Sequence, residues 1–117
     1  MNRENKILIE THLVTAFDDR AFYVPVELFI YHSSIPMSGS VYAHAACYGR
    51  DAVFSGDGHA EGHGYDKYRA AACDALRAAG ITTPDRYCRG TLTELLEGVA
   101  RELGFSNLKA HVLTERN

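Results

Sequence analysis

The sequence lacks most of the features that announce a functional class. It has only three cysteines, Cys47, Cys73 and Cys88, an odd count with no C-x-x-C spacing. That argues against a disulfide framework and for reduced thiols in a cytosolic protein. There is no basic excess: twelve Lys and Arg stand against fifteen Asp and Glu, a net charge of -3, with both signs spread along the chain. A dedicated binder of the nucleic-acid backbone carries a basic surplus or stripe, so none is expected here. No run approaches the roughly 18 to 20 apolar residues of a membrane span. The opening, MNRENKILIE, is charged and then strand-like, unlike the apolar core of a signal peptide. A cytoplasmic protein without membrane contact is therefore the expectation. Internal repeats, low-complexity tails, H-E-x-x-H, the P-loop and the dinucleotide fingerprint are all missing.

What is present fits one globular domain. In 117 residues, 46% are hydrophobic and 23% charged, enough to build a core. Period-two alternation marks strands at 6–17, 22–31 and 41–48, with a shorter extended piece near 52–55. Pro25 has no amide to donate, so the second strand lies at an edge or carries a bulge there. A helix is expected after Asp66, which suits an N-cap, with Tyr68, Ala71, Ala72, Ala75, Leu76 and Ala79 on one face and Gly80 as its stop. Thr91 and Glu94 have capping-box spacing before a second helix striped by Leu92, Leu95, Leu96, Val99 and Leu103, with Gly104 as its end. Gly98 within it costs about 1 kcal/mol of helix propensity against Ala, implying either close packing or local weakness. A last strand over 108–114 completes an α+β fold: an antiparallel sheet of four to five strands with two helices packed on one face.

The segment from Ser55 to Leu76, SGDGHAEGHGYDKYRAAACDAL, has the most specific pattern in the chain. Gly56, Gly58, Gly62 and Gly64 suit unusual backbone angles or the close approach of another backbone. His59 and His63 stand four apart beside Asp57 and Glu61, and are the candidate ligands were a zinc ion bound. The spacing lacks paired-ligand logic, so an ordinary polar loop outweighs a metal site and no cofactor is expected. A phosphate cradle is opposed by Asp57, Glu61 and Asp66. Cys47 and Cys73 fall on core-facing positions, which leaves Cys88, beside Arg86 and Arg89, as the more reactive thiol. No catalytic group emerges, and a non-enzymatic role is expected.

The alternation carries the strongest functional hint. If the helices cover Val24, Val26, Leu28, Val41, Ala43 and Ala45, the opposite sheet face displays Tyr23, Phe29, Tyr31, Tyr42, His44 and Tyr48, joined by Glu10 and His12. Such a face is too aromatic to be merely solvated and suits a protein partner. Stacking on single-stranded bases is the rival use, disfavoured by the scarcity of Lys and Arg in these strands. A homodimer through the same face, or a second layer formed on it by the C-terminal segment, is the third. Asp57 and Glu61 add an acidic surface next to it.

At Gly62-His63-Gly64-Tyr65-Asp66-Lys67, followed by Tyr68-Arg69-Ala70-Ala71-Ala72, the chain resembles small proteins of phages and other bacterial mobile elements that carry a G-x-G-Y-D-K motif between a strand and an alanine-rich helix. The resemblance covers about twenty residues. It implies a stoichiometric inhibitor of host defence, of the anti-CRISPR kind, acting in the bacterial cytoplasm on a nuclease or CRISPR effector subunit. It implies a packing role for the motif itself: Gly64 and Tyr65 fix the turn, Asp66 caps, Lys67 covers that Tyr ring and the alanines let helix meet sheet.

Overall fold

A computed structural model describes residues 6–18, 20–62, 66–81 and 91–114, the side chain of Asp66 excepted. Five strands and two helices follow in the order β1 (Lys6–Asp18), β2 (Ala21–Ser33), β3 (Ser40–Tyr48), β4 (Val53–Glu61), α1 (Asp66–Ala78), α2 (Leu92–Glu102) and β5 (Leu108–Thr114). The strands form one antiparallel sheet in the order β4-β3-β2-β1-β5. Chain neighbours therefore pair as a meander, and β5 returns after both helices to close the far edge beside β1. This is the expected α+β architecture, with α1 over β3 and β4 and α2 towards β1, β2 and β5.

Between helices and sheet lies a core of Val14, Val26, Leu28, Ile30, Val41, Ala43, Ala45 and Cys47 from the strands, met by Ala71, Ala72, Ala75 and Leu76 of α1 and Leu92, Leu95, Leu96 and Val99 of α2. Large side chains such as Leu28, Ile30, Leu76 and Leu96 are buried essentially completely, each worth about 1.5–3 kcal/mol relative to exposure.

As far as Glu61 the glycine-rich run is strand and not loop. β4 continues through it to Glu61, well past the extended piece expected near 52–55. Gly56 and Gly58 alternate onto the helix side, and the α1 backbone sits directly on them. A Cβ at Gly58 would lie 2.3 Å from the Ala71 carbonyl oxygen and 2.4 Å from the Ala75 nitrogen; one at Gly56 would lie 2.4 Å from the Ala79 nitrogen. Backbone touches backbone here because both surfaces lack side-chain bulk, the strand through glycine and the helix through alanine. Lys67 Nζ lies 5.9 Å from the Tyr68 ring centroid, which is not the tyrosine of the motif. His63, Gly64, Tyr65 and the capping side chain of Asp66 fall outside the described residues, as does Cys88.

Both helices end in the same way. Gly80 (φ +88°) and Gly104 (φ +93°) take left-handed conformations that L-residues resist. Paired bonds, Gly80 N to Arg77 O with Ile81 N to Leu76 O, and Gly104 N to Arg101 O with Phe105 N to Ala100 O, satisfy the last carbonyls in Schellman motifs. α2 begins with the expected box: Glu94 N donates to Thr91 Oγ1 at 3.2 Å while Thr91 N donates to Glu94 Oε1 at 3.5 Å. At Gly98 an added Cβ would meet nothing within 4 Å, so close packing does not account for the glycine there, and α2 runs through it without a break.

Two register shifts alter which face each residue serves. Leu8 pairs with Tyr31 and Glu10 with Ile30, so one extra residue, Ile9, is accommodated in β1. Val14 pairs with Val26 and Ala16 with Tyr23, so the extra residue in β2 falls at Val24 and Pro25. β2 is thus the central strand and satisfies the missing amide of Pro25 by bulging, not by lying at an edge.

Candidate functional site

The sheet face turned away from the helices is covered by none of the described elements. Its centre is built from β2, β3 and β4. Cross-strand register aligns Tyr31, Tyr42 and His59 in one row and Phe29, His44 and Asp57 in the next. Directly opposed side chains in an antiparallel sheet lie close enough to stack, and they do. Tyr42 and His59 have ring centroids 4.8 Å apart at an interplanar angle of 27°, and Phe29 and His44 lie 6.3 Å apart at the same angle. Flanking β1 adds Leu8, Thr11 and Leu13, and β5 adds His111 and Leu113 in register with them. Thr15 Oγ1 lies 3.1 Å from His111 Nε2 at that border.

Ionic groups rim the rings. His44 Nδ1 lies 2.8 Å from Asp57 Oδ1, and His59 Nε2 lies 3.7 Å from Glu61 Oε1. The Asp57 side chain is 84% exposed, so its pairing with His44 leaves the carboxylate open to solvent. Glu61 also accepts from Ser40 Oγ at 3.1 Å. Tyr48, 38% exposed, is held by a hydrogen bond to Glu27, which together with partial burial raises its phenol above the ordinary value. Lys6 Nζ stands 4.5 Å from the centroid of the Tyr42 ring, within reach of its negative face. A cleft of about 470 Å³ opens among Lys6, Tyr31, Tyr42, His44, Asp57 and His59 and extends over β4 to Asp74 of α1. Asp74 Oδ2 accepts from the His59 backbone amide at 3.1 Å, so the helix caps a donor on the outer edge of β4.

Phe29, Tyr31, Tyr42, His44, Tyr48, Asp57 and Glu61 are therefore brought onto one surface. Asp57 and Glu61 belong to the sheet itself and not to a neighbouring loop. Three residues expected on this face are elsewhere. Tyr23 is carried to the helix side by the bulge at Val24 and Pro25, where its ring lies 5.2 Å from that of buried Phe105 and 5.3 Å from the Arg50 guanidinium. Arg50 is anchored by Asp18, and that hydrogen bond holds its guanidinium still further above its usual range. Glu10 and His12 are turned to the helix side by the shift at Ile9. There His12, 4% exposed, bonds Glu10 Oε1 through Nε2 at 3.0 Å, and its buried Nδ1 has no partner among the described residues.

The same shifts bring unanticipated residues onto the open face. Phe22 replaces Tyr23 and pairs with Phe17, the two being 67% and 58% exposed. Thr11 and Leu13 take the places of Glu10 and His12, while Lys6, ahead of the shift at Ile9, keeps its even-numbered place on the open face. Proline 25 was the available signal, since a bulge there inverts the alternation N-terminal to it. Nothing in the residue pattern around Ile9 marked the other shift.

The two cysteines among the described residues bring no thiolate to this surface. Cys47 and Cys73 are buried, and burial pushes the Cys47 thiol up to about 11, far from the range in which thiolates act at neutral pH. Among the described residues, no three His, Cys, Asp or Glu side chains group as a metal site would require. None of the described helices is long and apolar enough to cross a membrane. Comparison of the chain with protein-family models, curated proteins and solved structures finds no match.

Proposed function

We propose that the chain is a non-enzymatic binding module that docks a protein through the open sheet face, and that it serves a phage or mobile element as an inhibitor of a bacterial defence nuclease or CRISPR effector complex, blocking it sterically. The observation that carries the docking role is the bare face itself: Phe29, Tyr31, Tyr42 and Tyr48, held on the inner strands of a five-stranded sheet. Aromatic side chains on a rigid frame lose little entropy on binding and dominate interface energetics. The inhibitor role rests on the resemblance at residues 62–72. Glu27, Asp57 and Glu61 on the same face suit a cationic groove that would otherwise receive nucleic acid. Against them, Lys6 and Lys109 are the cations on that face among the described residues, which disfavours direct binding to a phosphate backbone.

The test is affinity recovery of effector subunits by the tagged protein from bacterial lysates expressing CRISPR effectors, with light-scattering mass on the purified chain. A stoichiometric effector subunit should be retained, and changing Tyr31, Tyr42 and Tyr48 together to Ser should abolish retention with the circular dichroism spectrum preserved. Undiminished retention by that variant would refute the face. A two-chain mass lost in the same variant would assign the face to self-association, and a salt-dependent gel shift with single-stranded oligonucleotides would assign it to nucleic acid.

A further inference from the structure

We infer that the cleft between Tyr42 and Asp74 receives an arginine side chain of a protein partner, with Lys6 as the placeholder that the arginine displaces. The inference rests on the docking reading above and specifies its chemistry. Tyr31, Tyr42 and His59 line the cleft with ring surface, and Asp57 and Asp74 place two carboxylates around it against the single ammonium of Lys6. Aromatic faces bordered by carboxylates are the surroundings in which a planar guanidinium gains both stacking and charge-assisted hydrogen bonds. The chain itself demonstrates the first of these, because Lys6 Nζ already lies over the Tyr42 ring.

Lys6 is a poor permanent occupant. It is the first residue of β1, its stem is flexible, and no salt bridge among the described residues ties it to Asp57 or Asp74. Asp57 keeps a carboxylate oxygen beyond its bond to His44, and the other oxygen of Asp74 lies beyond the one that caps His59. Swinging Lys6 aside therefore exposes a stacking surface and two carboxylates to an incoming cation. An anion would need the opposite: it would use Lys6 and be repelled by both aspartates. The two ligand classes thus predict opposite effects of removing Lys6.

The experiment titrates the full chain with hexa-arginine, hexa-lysine, hexa-glutamate and inorganic phosphate while following aromatic carbon-13 NMR signals. Hexa-arginine is expected to shift the rings of Tyr31, Tyr42 and His59 saturably, more strongly than hexa-lysine. Lys6→Ala should tighten that binding about twofold to threefold, and Tyr42→Ala should weaken it about threefold to fivefold, the scale of one exposed cation–π contact. Asp57→Asn, an exposed change that spares the fold, should also weaken it. Shifts of the same rings by hexa-glutamate or phosphate, with weaker binding after Lys6→Ala, would overturn the inference. So would hexa-arginine binding indifferent to both Tyr42→Ala and Asp57→Asn. If hexa-arginine fills the cleft but the Tyr31, Tyr42 and Tyr48 variant still retains an effector, the docking reading fails and the cleft stands. If effector retention depends on those tyrosines but hexa-arginine leaves the rings unmoved, the cleft fails and the docking reading stands.

Discussion

Replacing Gly58 by alanine tests whether the contact of α1 with β4 is as close as it stands here. Away from any neighbour, Gly→Ala within a strand is favourable by roughly 0.5–1 kcal/mol, because glycine loses more backbone freedom on folding. At Gly58 the new methyl would sit 2.3 Å from the Ala71 carbonyl oxygen and 2.4 Å from the Ala75 nitrogen. An ordinary carbon–oxygen contact is about 3.3–3.6 Å. The obstructing atoms are helix backbone and cannot rotate away, so α1 must retreat by about 1 Å over its middle turns. A gap of 0.5–1 Å forfeits roughly a quarter to a half of the dispersion energy across it, here that of Ala71, Ala72, Ala75 and Leu76 against the strands. Overpacking of this kind costs about 1–3 kcal/mol, and immovable neighbours place Gly58 at the upper end. The net expectation is a destabilisation of about 2–3 kcal/mol, read in urea unfolding as a lower midpoint with unchanged slope. Gly98→Ala is the internal control, since its methyl meets nothing and should stabilise by about 1 kcal/mol. The two substitutions should thus differ in sign, and a neutral or stabilising Gly58→Ala would refute the backbone contact.

Three further outcomes follow from individual bonds. Thr91→Ala removes the acceptor for Glu94 N and should cost about 1 kcal/mol in the same unfolding assay. Tyr48 should ionise above the ordinary phenol value of 10.0 because Glu27 accepts its proton in a hydrogen bond. Ultraviolet titration should show the phenol moving back down in Glu27→Gln. Since the folded-state value is raised, the stability from this bond is complete below about pH 10 and is lost as pH rises through the folded value. Asp74→Ala frees the His59 amide on the outer edge of β4; its hydrogen exchange should accelerate, whereas strands β1 and β2 keep their protection.

Element order was legible in the residues because the local signals agree with the global fold. The capping box at Thr91 and Glu94, the glycines after each helix and the alternation of β2 and β3 each point to the structure that forms. The close backbone approach that Gly56 and Gly58 suit is present, but the continuation of β4 through them to Glu61 was not legible, for a physical reason. Glycine in a strand and glycine in a loop look alike in composition, and only the presence of a partner backbone, supplied by Ala71, Ala75 and Ala79 of α1, distinguishes them. That partner lies up to some twenty residues away, beyond any local pattern.

Face assignment was the fragile step, and it bears directly on function. In a strand of strict period two, one inserted residue transfers every later side chain to the other side. β1 and β2 each contain one such insertion, at Ile9 and at Val24 or Pro25. Their combined effect is to withdraw Tyr23, Glu10 and His12 from the open face while leaving Phe29, Tyr31, Tyr42, His44 and Tyr48 in place, because no insertion interrupts the pairing of β2 with β3 or of β3 with β4. A substitution set that included Tyr23 would therefore confound two effects, since its ring packs on Phe105 and Arg50 on the helix side. Loss of binding in that set could reflect a loosened α2 as readily as a stripped docking face. Tyr31, Tyr42 and Tyr48 alone separate the two, as all three project from the side on which no described element rests.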